Sequence, residues 1–291
     1  MSEAEVLDGC KFLSDSGFRP SYMKASARRW LDNFEAEDRH IAVALLESFV
    51  MIPSSMTDAM LQAAFHQLAA DRCRSHGYDG ALAAWASFRD ELLVTIPTGE
   101  MPNPTDSGYS FQRSVRQLLE IDEAQIVEPH DALQALVSRG QGKVLFVDDF
   151  VGSGHQFVTT WHRDYRVAGV DVSFGAVCPP GSAFYTPLVA TTTGVDHIAT
   201  HCPEVELKPL HRLGSEYAAN SPTTSMWQSV QVADGIAFVE KYTPLAGFRV
   251  EQAWGYEELG LAFAFEHGTP DATLPILYSE RNAWRPLVRR R

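Results

Sequence analysis

The stretch from residue 144 to residue 156 reads Val144-Leu145-Phe146-Val147-Asp148-Asp149-Phe150-Val151-Gly152-Ser153-Gly154-His155-Gln156 and decides the fold. Its four leading apolar residues indicate a strand buried on both faces, as in a parallel sheet. Two carboxylates stand where this strand ends, and a Gly-Ser-Gly turn and a predicted helix follow them. The acids and the loop are therefore expected at the carboxyl end of a strand, where open α/β sheets bind ligands.

The acid pair and the loop together indicate a ligand that carries more than one kind of group. Backbone N–H groups at a loop-to-helix junction bind anions. Two carboxylates beside a bare anion would repel it, and burial would increase that cost. Asp148 and Asp149 fit instead a ligand with hydroxyl groups or a bound divalent cation such as Mg²⁺. A phosphorylated ribose has these properties, and its phosphate is expected on Val151, Gly152, Ser153, Gly154, His155 and Gln156.

Composition and charge limit the class of protein. The chain has 291 residues, of which 45% are hydrophobic, and no apolar run is long enough for a transmembrane helix. The amino terminus is acidic and lacks the basic region of a signal peptide, so a cytoplasmic protein is expected. Its 24 basic residues against 37 acidic ones give a net charge of −13, which argues against a broad nucleic-acid-binding surface. Four scattered cysteines without a C-x-x-C motif are read as reduced thiols.

Hydrophobic periodicity predicts strands alternating with helices, and hence an α/β fold with a doubly wound, mainly parallel sheet. Residues 1–90 are predicted as a helical region, and residues 91–291 as an α/β domain with a C-terminal extension. Strands are predicted at 92–97, 124–127, 144–147, 172–178, 197–201 and 261–265, so that 144–147 is the third strand. Helices between them are predicted at 111–121, 130–139, 156–161 and 184–191.

Other chemical motifs in the chain fit their usual functions less well. A dinucleotide fingerprint fails because Phe157 stands where the third glycine is needed, and a nucleophile elbow at Ser153 would need glycines at the flanking positions. His197, His201 and Cys202 have metal-like spacing. On a strand, however, residues four apart lie about 13 Å from each other, so ordinary packing is the preferred interpretation.

The stretch 144–156 resembles the 5-phosphoribosyl-1-pyrophosphate (PRPP) motif of type I phosphoribosyltransferases. In that motif four apolar residues, two acids and two further apolar residues precede a loop of small residues. This chain departs from the pattern at Phe150, at Gly152 and at Gln156, which replaces a small hydroxyl residue. In these transferases the loop after the first strand receives pyrophosphate. Asp106, Ser107 and Gly108 could take that place, with an ordinary connecting loop as the alternative.

Three further segments extend the resemblance to one group, the phosphoribosyltransferase-like domain of bacterial conflict systems (PRTase-CE). They accompany the central motif over residues 25–290. The segments are Trp30-Leu31-Asp32-Asn33-Phe34, the stretch from Phe265 to Pro275, and Trp284-Arg285-Pro286-Leu287. The resemblance implies a type I phosphoribosyltransferase-like fold and a role in bacterial defence against phages, beside other defence proteins.

The resemblance also implies what the central motif would bind and do. Asp148 and Asp149 would hold Mg²⁺ and stabilise charge on the ribose, and the ligand would be PRPP or a nucleotide. Glycosyl transfer or cleavage of the ligand is the enzymatic hypothesis. A non-catalytic nucleotide sensor is the alternative, because residues 128–142 leave little chain for a catalytic lid and Gln156 replaces a hydroxyl residue. A scaffold subunit of a defence complex is a third.

Overall fold

The computed structural model describes residues 2–74, 76–99 and 107–290. Its helices are α1 (Glu3–Asp15), α2 (Met23–Leu31), α3 (Arg39–Ser48), α4 (Ser54–Cys73), α5 (Tyr78–Glu91), α6 (Ser107–Leu119), α7 (Pro129–Arg139), α8 (His155–His162), α9 (Phe174–Val177), α10 (Thr192–His201), α11 (Val232–Leu245) and α12 (Pro275–Tyr278). Its strands are β1 (Val50–Ile52), β2 (Leu92–Thr95), β3 (Lys143–Val151), β4 (Tyr165–Val167), β5 (Val170–Val172), β6 (Ala183–Thr191), β7 (Val205–Leu207), β8 (His211–Leu213) and β9 (Phe263–Phe265). None of the helices in these ranges has the length and hydropathy needed to span a bilayer.

The chain divides into two compact units. The first unit combines Met1–Met56 with Leu213–Arg291, and the second unit is Thr57–Arg212. The boundary placed at residue 90 from the sequence falls inside the second unit, at the end of α5. Helices α1, α2 and α3 thus share a unit with the C-terminal segment.

The second unit is built on a parallel sheet, as the sequence predicts. The strand order is β2-β3-β6-β7, each neighbouring pair is parallel, and β8 also pairs with β6. The central stretch forms β3, whose residues 144–149 are all buried, and the predicted helix after the glycine loop forms α8. The α/β class and the mainly parallel central sheet are therefore confirmed.

The helix predicted at 184–191 is wrong, because this segment is the buried strand β6. Every residue from Ala183 to Thr191 is buried, and β6 lies between β3 and β7. A strand covered on both faces shows no alternation of polar and apolar residues, and Pro187 in its middle is typical of edge strands rather than central ones. Tertiary burial outweighs that local signal here.

The strand predicted at 197–201 is also wrong, since these residues form the end of helix α10. The helix begins after Thr191, whose side chain accepts a hydrogen bond from the backbone N–H of Gly194. A threonine oxygen in this position is a standard helix N-cap.

Two more predicted strands are only partly strands. Most of 172–178 forms the short helix α9, which Ser173 caps by accepting from the N–H of Ala176. Residues 123–125 form a 3₁₀ turn, and only Ile126 makes an isolated parallel bridge, to Val94 of β2. As a result, β3 is the second strand of the sheet in chain order rather than the third.

The first unit has a core of aromatic side chains, called here the aromatic core: Trp30, Phe34, Phe238, Tyr242 and Trp284. Their rings pack edge-on or tilted, with the Phe34 ring 4.7 Å from Trp30, 4.8 Å from Tyr242 and 5.4 Å from Trp284. Strands β1 and β9 pair in parallel within the same unit. Segments from both ends of the chain thus form one hydrophobic core.

Polar groups hold these two ends of the chain together. The indole N–H groups of Trp30 and Trp284 both donate to the carbonyl of Ile276, at 2.7 and 2.9 Å. The Asn33 side chain donates to the carbonyl of Arg285 and accepts from its N–H, at 2.9 and 3.1 Å. Two of the family-like segments, 30–34 and 284–287, are therefore bonded to each other, and the C-terminal segment is part of the core.

Candidate functional site

The acid pair lies near the carboxyl end of β3, which continues beyond the predicted end at Val147 to Val151, and it is almost completely buried. Asp148 and Asp149 are each 8% exposed. The phenol O–H of Tyr185 donates to one carboxylate oxygen of Asp148 at 2.9 Å, and the backbone N–H of Asp149 donates to the other at 2.9 Å. Sequence reasoning missed Tyr185, because it assigned residues 184–191 to a helix.

Burial makes the ionised form of Asp148 unfavourable. Loss of solvation raises the pKa of this carboxyl well above its ordinary value, and the neighbouring charge of Asp149 raises it further. The hydrogen bond from Tyr185 opposes this rise only in part. Burial and the charge of Asp148 likewise raise the pKa of the Tyr185 phenol, which keeps it as a hydrogen-bond donor. Burial and the adjacent carboxylate thus both disfavour the charged form of Asp148.

A proline interrupts the β-ladder opposite the acid pair. Asp148 is paired with Pro187 of β6, and Phe150 is paired with Val189. Pro187 has no backbone N–H to donate. The N–H of Asp149 donates to the Asp148 carboxylate.

The loop after β3 turns through a left-handed glycine into α8. Gly154 has a φ of +82°, in the left-handed region that glycine adopts without strain, and it is the N-cap residue of α8. The N–H of His155 points to the Ser153 hydroxyl at 3.5 Å. Within the described ranges, no group accepts a hydrogen bond from the N–H of Ser153 or of Gly154. These N–H groups and the start of α8 stand at the same sheet edge as the acid pair.

The side chain of Gln156 contacts protein rather than the loop. Its amide donates to the carbonyl of Pro97, just after β2, at 3.4 Å. The buried hydroxyl of Thr160 accepts from the N–H of Thr98 at 3.0 Å and lies 2.9 Å from the Thr98 carbonyl. Arg163 donates to the Thr98 hydroxyl at 3.0 Å and to the carbonyl of Gly99. Helix α8 thus holds the first residues of the loop that follows β2.

The proposed pyrophosphate loop is described only in part. Asp106 lies outside the described residues. The backbone of Ser107 and Gly108 forms the first turn of α6 rather than an extended loop. Whether this segment receives pyrophosphate stays a prediction.

Three histidines lie in a row beside the glycine loop. The ring of His155 is 4.6 Å from that of His197, which is 4.2 Å from that of His201. The premise that His197 and His201 share a strand is wrong, since both lie on α10, one helical turn apart. Among the described residues, no group of three or more His, Cys, Asp or Glu side chains is arranged to hold a metal ion.

Comparison with known proteins gives one match. The family model PRTase-CE matches residues 27–290, which is most of the chain and includes the acid pair, the loop and both family-like ends. No curated protein and no solved structure matches the chain.

Proposed function

Because the chain belongs to the PRTase-CE family and is a phosphoribosyltransferase-like protein, we propose that it binds a 5-phosphoribosyl ligand, PRPP or a nucleotide, together with Mg²⁺. The observation that carries the proposal is a buried acid pair beside a glycine loop, both at the carboxyl end of β3. The proposed site consists of Asp148, Asp149 and the backbone from Val151 to Gln156.

The loop would take the 5′-phosphate. The N–H groups of Ser153 and Gly154 are available to a ligand, and the positive end of the α8 dipole lies directly behind them. His155, the first residue of α8, is exposed at the same place. The Gln156 amide is engaged with Pro97, so phosphate binding in this proposal depends on backbone groups rather than on that side chain.

The acid pair would take the ribose hydroxyls and Mg²⁺. Carboxylate oxygens are the protein ligands that Mg²⁺ prefers, and Mg²⁺ is commonly held by one or two carboxylates with water and ligand phosphate completing its shell. Two buried carboxylates that disfavour each other's charge fit such a role. When bound, the cation would neutralise the pair and the ligand phosphates. The carboxylates could also stabilise positive charge at C1 of the ribose during bond cleavage.

Isothermal titration calorimetry with PRPP and with nucleoside 5′-monophosphates tests the proposal. We expect binding that requires Mg²⁺ and that Asp148→Asn and Asp149→Asn each weaken at least about 10-fold, the effect of one lost charge-assisted contact. Asp164→Asn, which removes an exposed carboxylate two residues after α8, is the matched control and should bind normally. Binding that is independent of Mg²⁺, or equal in wild type and Asp148→Asn, would contradict the proposal.

The same samples distinguish an enzyme from a sensor. Chromatography of the ligand pool after incubation with Mg²⁺ shows whether PRPP or the nucleotide is converted. New products that require Asp148 identify a phosphoribosyl-transferring or ligand-cleaving enzyme. Saturable binding with an unchanged pool identifies a sensor.

We further propose that ligand binding serves in bacterial defence, as the resemblance to conflict-system proteins implies. Bacteria that express the chain with its partner proteins should plate phages less efficiently than bacteria that carry Asp148→Asn. Equal plating on both strains, with the two proteins expressed to the same level, would count against this role.

A further inference from the structure

We infer that Thr191, which lies outside the central sequence motif, is a positioning residue that holds the glycine loop in its ligand-binding conformation. Thr191 is the last residue of β6 and the N-cap of α10, and it is 4% exposed. The inference rests on the proposed function for the identity of the ligand, but the geometry that carries it is independent of any ligand.

The Thr191 hydroxyl joins the loop to the next helix. It donates to the carbonyl of Gly152 at 2.5 Å and accepts from the N–H of Gly194 at 3.0 Å. The bond to Gly194 is buried and the bond to Gly152 is partly buried. A hydroxyl can pair both groups because it donates one hydrogen bond and accepts others. A methyl group in the same place would leave both of them unpaired.

Fixing the Gly152 carbonyl also fixes the direction of the following N–H. The peptide bond between Gly152 and Ser153 is planar and trans, so its C=O and N–H point in opposite directions. Because Thr191 draws the carbonyl toward α10, the N–H of Ser153 is turned away from α10. This N–H is one of the two loop groups without an acceptor among the described residues, and it is the one that the hydroxyl orients.

Close backbone packing reinforces the hydroxyl. A Cβ atom on Gly194 would lie 2.2 Å from the carbonyl oxygen of Gly152 and 2.8 Å from Cγ1 of Val151. A Cβ atom on Gly154 would lie 2.8 Å from the carbonyl oxygen of Gly194. The loop and α10 can lie this close only because Gly154 and Gly194 have no side chains. Their backbone contact blocks movement of the loop toward α10.

The β6–α10 junction therefore pre-organises a loop that belongs to β3 and α8. Pre-organisation increases affinity because a ligand does not have to order the loop on binding. The motif at 144–156 is thus incomplete as a binding element without Thr191 and Gly194.

Thr191→Val, which has nearly the same shape but no hydroxyl, tests this inference. We expect the Kd for PRPP with Mg²⁺ to rise about 10-fold, since one buried polar group that loses its partner has an effect of this size. The amide NMR signals of Gly152, Ser153 and Gly154 in the ligand-free protein should shift or broaden. Thr191→Ser should restore both the affinity and the spectrum.

Two further variants separate positioning from general stability. Ser173→Ala removes a cap of the same kind from α9, with no contact to the loop, and should change neither readout. Gly194→Ala keeps the Thr191 hydroxyl but displaces the Gly152 carbonyl, and it should weaken binding at least as much as Thr191→Val. It also tests the inference if Thr191→Val does not fold.

The outcomes decide between the two proposals. Wild-type affinity and an unchanged loop spectrum in Thr191→Val, or in Gly194→Ala, would overturn the positioning role, as would an equal effect of Ser173→Ala. If wild type binds no phosphoribosyl ligand but Thr191→Val still alters the loop signals and Thr191→Ser restores them, the proposed function fails and the positioning role stands.

Discussion

The aromatic core of the first unit and the acid pair of the second unit differ in how well their buried polar groups are compensated by partners. In the aromatic core, the indole N–H groups of Trp30 and Trp284 share the Ile276 carbonyl, and the Tyr242 hydroxyl donates to Asp38 at 2.8 Å. In the acid pair, two adjacent carboxylates are buried together, and the pKa of Asp148 is raised as a result. These polar groups of the aromatic core all have hydrogen-bond partners, whereas in the acid pair the charged form of Asp148 remains unfavourable.

This difference separates what stabilises the protein from what it can bind. Buried charge without full compensation lowers stability, and it is retained where a ligand or cation can compensate it. Two of the segments that carry the family resemblance, 30–34 and 284–287, belong to the stabilising region. The proposed binding site lies instead in the short motif near the end of β3.

Removing a tryptophan from the aromatic core should have the largest effect on stability. Trp30→Ala should lower the free energy of unfolding by about 3–5 kcal/mol, because it leaves a large cavity and removes one of the two indole N–H groups that donate to the Ile276 carbonyl. Urea denaturation followed by circular dichroism measures the change. Phe12→Ala, at a side chain that is 67% exposed, should change it by less than about 0.5 kcal/mol. Equal effects of the two substitutions would contradict the assignment of Trp30 to the core.

Neutralising the acid pair should stabilise the protein while it removes binding. Asp148→Asn should raise the free energy of unfolding at neutral pH by about 1–3 kcal/mol, the order of a buried charged group without full compensation. Because the pKa of Asp148 is higher in the folded state than its ordinary value near 3.9, wild-type stability falls as the pH rises from about 4 toward the folded-state pKa.

The pH dependence provides the control for this prediction. The gain from Asp148→Asn should be small below about pH 4, where the carboxyl is protonated in both states, and should grow as the pH rises. Denaturation curves of both proteins across this range measure it. A loss of stability at neutral pH would show that the charge is compensated within the protein, as in the aromatic core.

Removing the phenol beside the pair should have a smaller effect. The hydrogen bond from Tyr185 lowers the pKa of Asp148, so Tyr185→Phe should raise that pKa and move the onset of Mg²⁺-dependent binding to higher pH. The cost in stability should be about 1 kcal/mol. Tyr165→Phe is the matched control, because the Tyr165 hydroxyl is buried with no hydrogen-bond partner in the described structure. Identical pH profiles for Tyr185→Phe and wild type would remove Tyr185 from the site.

The smallest effect is expected where α8 holds the loop after β2. Arg163→Met removes the guanidinium that donates to Thr98 and Gly99 and should lower the free energy of unfolding by about 0.5–1 kcal/mol. Thermal unfolding measures the change, with Arg166→Met at an exposed ion pair as control. The Kd for a nucleoside 5′-monophosphate should remain unchanged. A large loss of 5′-phosphate affinity would place Arg163 in the binding site itself.

The central motif could be predicted from sequence because its signals are local. Four apolar residues, two acids and a glycine loop predict β3, the turn and α8, and the structure has all three. Helices α2, α3 and α7 are likewise evident from their periodicity and flanking residues. The α/β fold class follows from the alternation of predicted strands and helices along the chain.

The partners of that motif could not be predicted, because they come from strands buried on both faces and from contacts distant in sequence. Segment 183–191 shows no alternation, and Pro187 argued against a central strand. Its assignment as a helix concealed Tyr185, whose hydroxyl contacts Asp148, and Thr191, whose hydroxyl contacts Gly152. Residues 197–201, the end of α10, were likewise assigned to a strand. The arrangement of side chains around the acids therefore had to come from the structure.

A crystal structure with PRPP and Mg²⁺ would locate the ligand. We expect the 5′-phosphate about 3 Å from the backbone nitrogens of Ser153 and Gly154, with the cation or the ribose hydroxyls on Asp148 and Asp149. Asp148→Asn crystals treated in the same way should lack the ligand. Well-diffracting wild-type crystals with PRPP bound elsewhere, or with none bound at saturating concentration, would contradict this expectation.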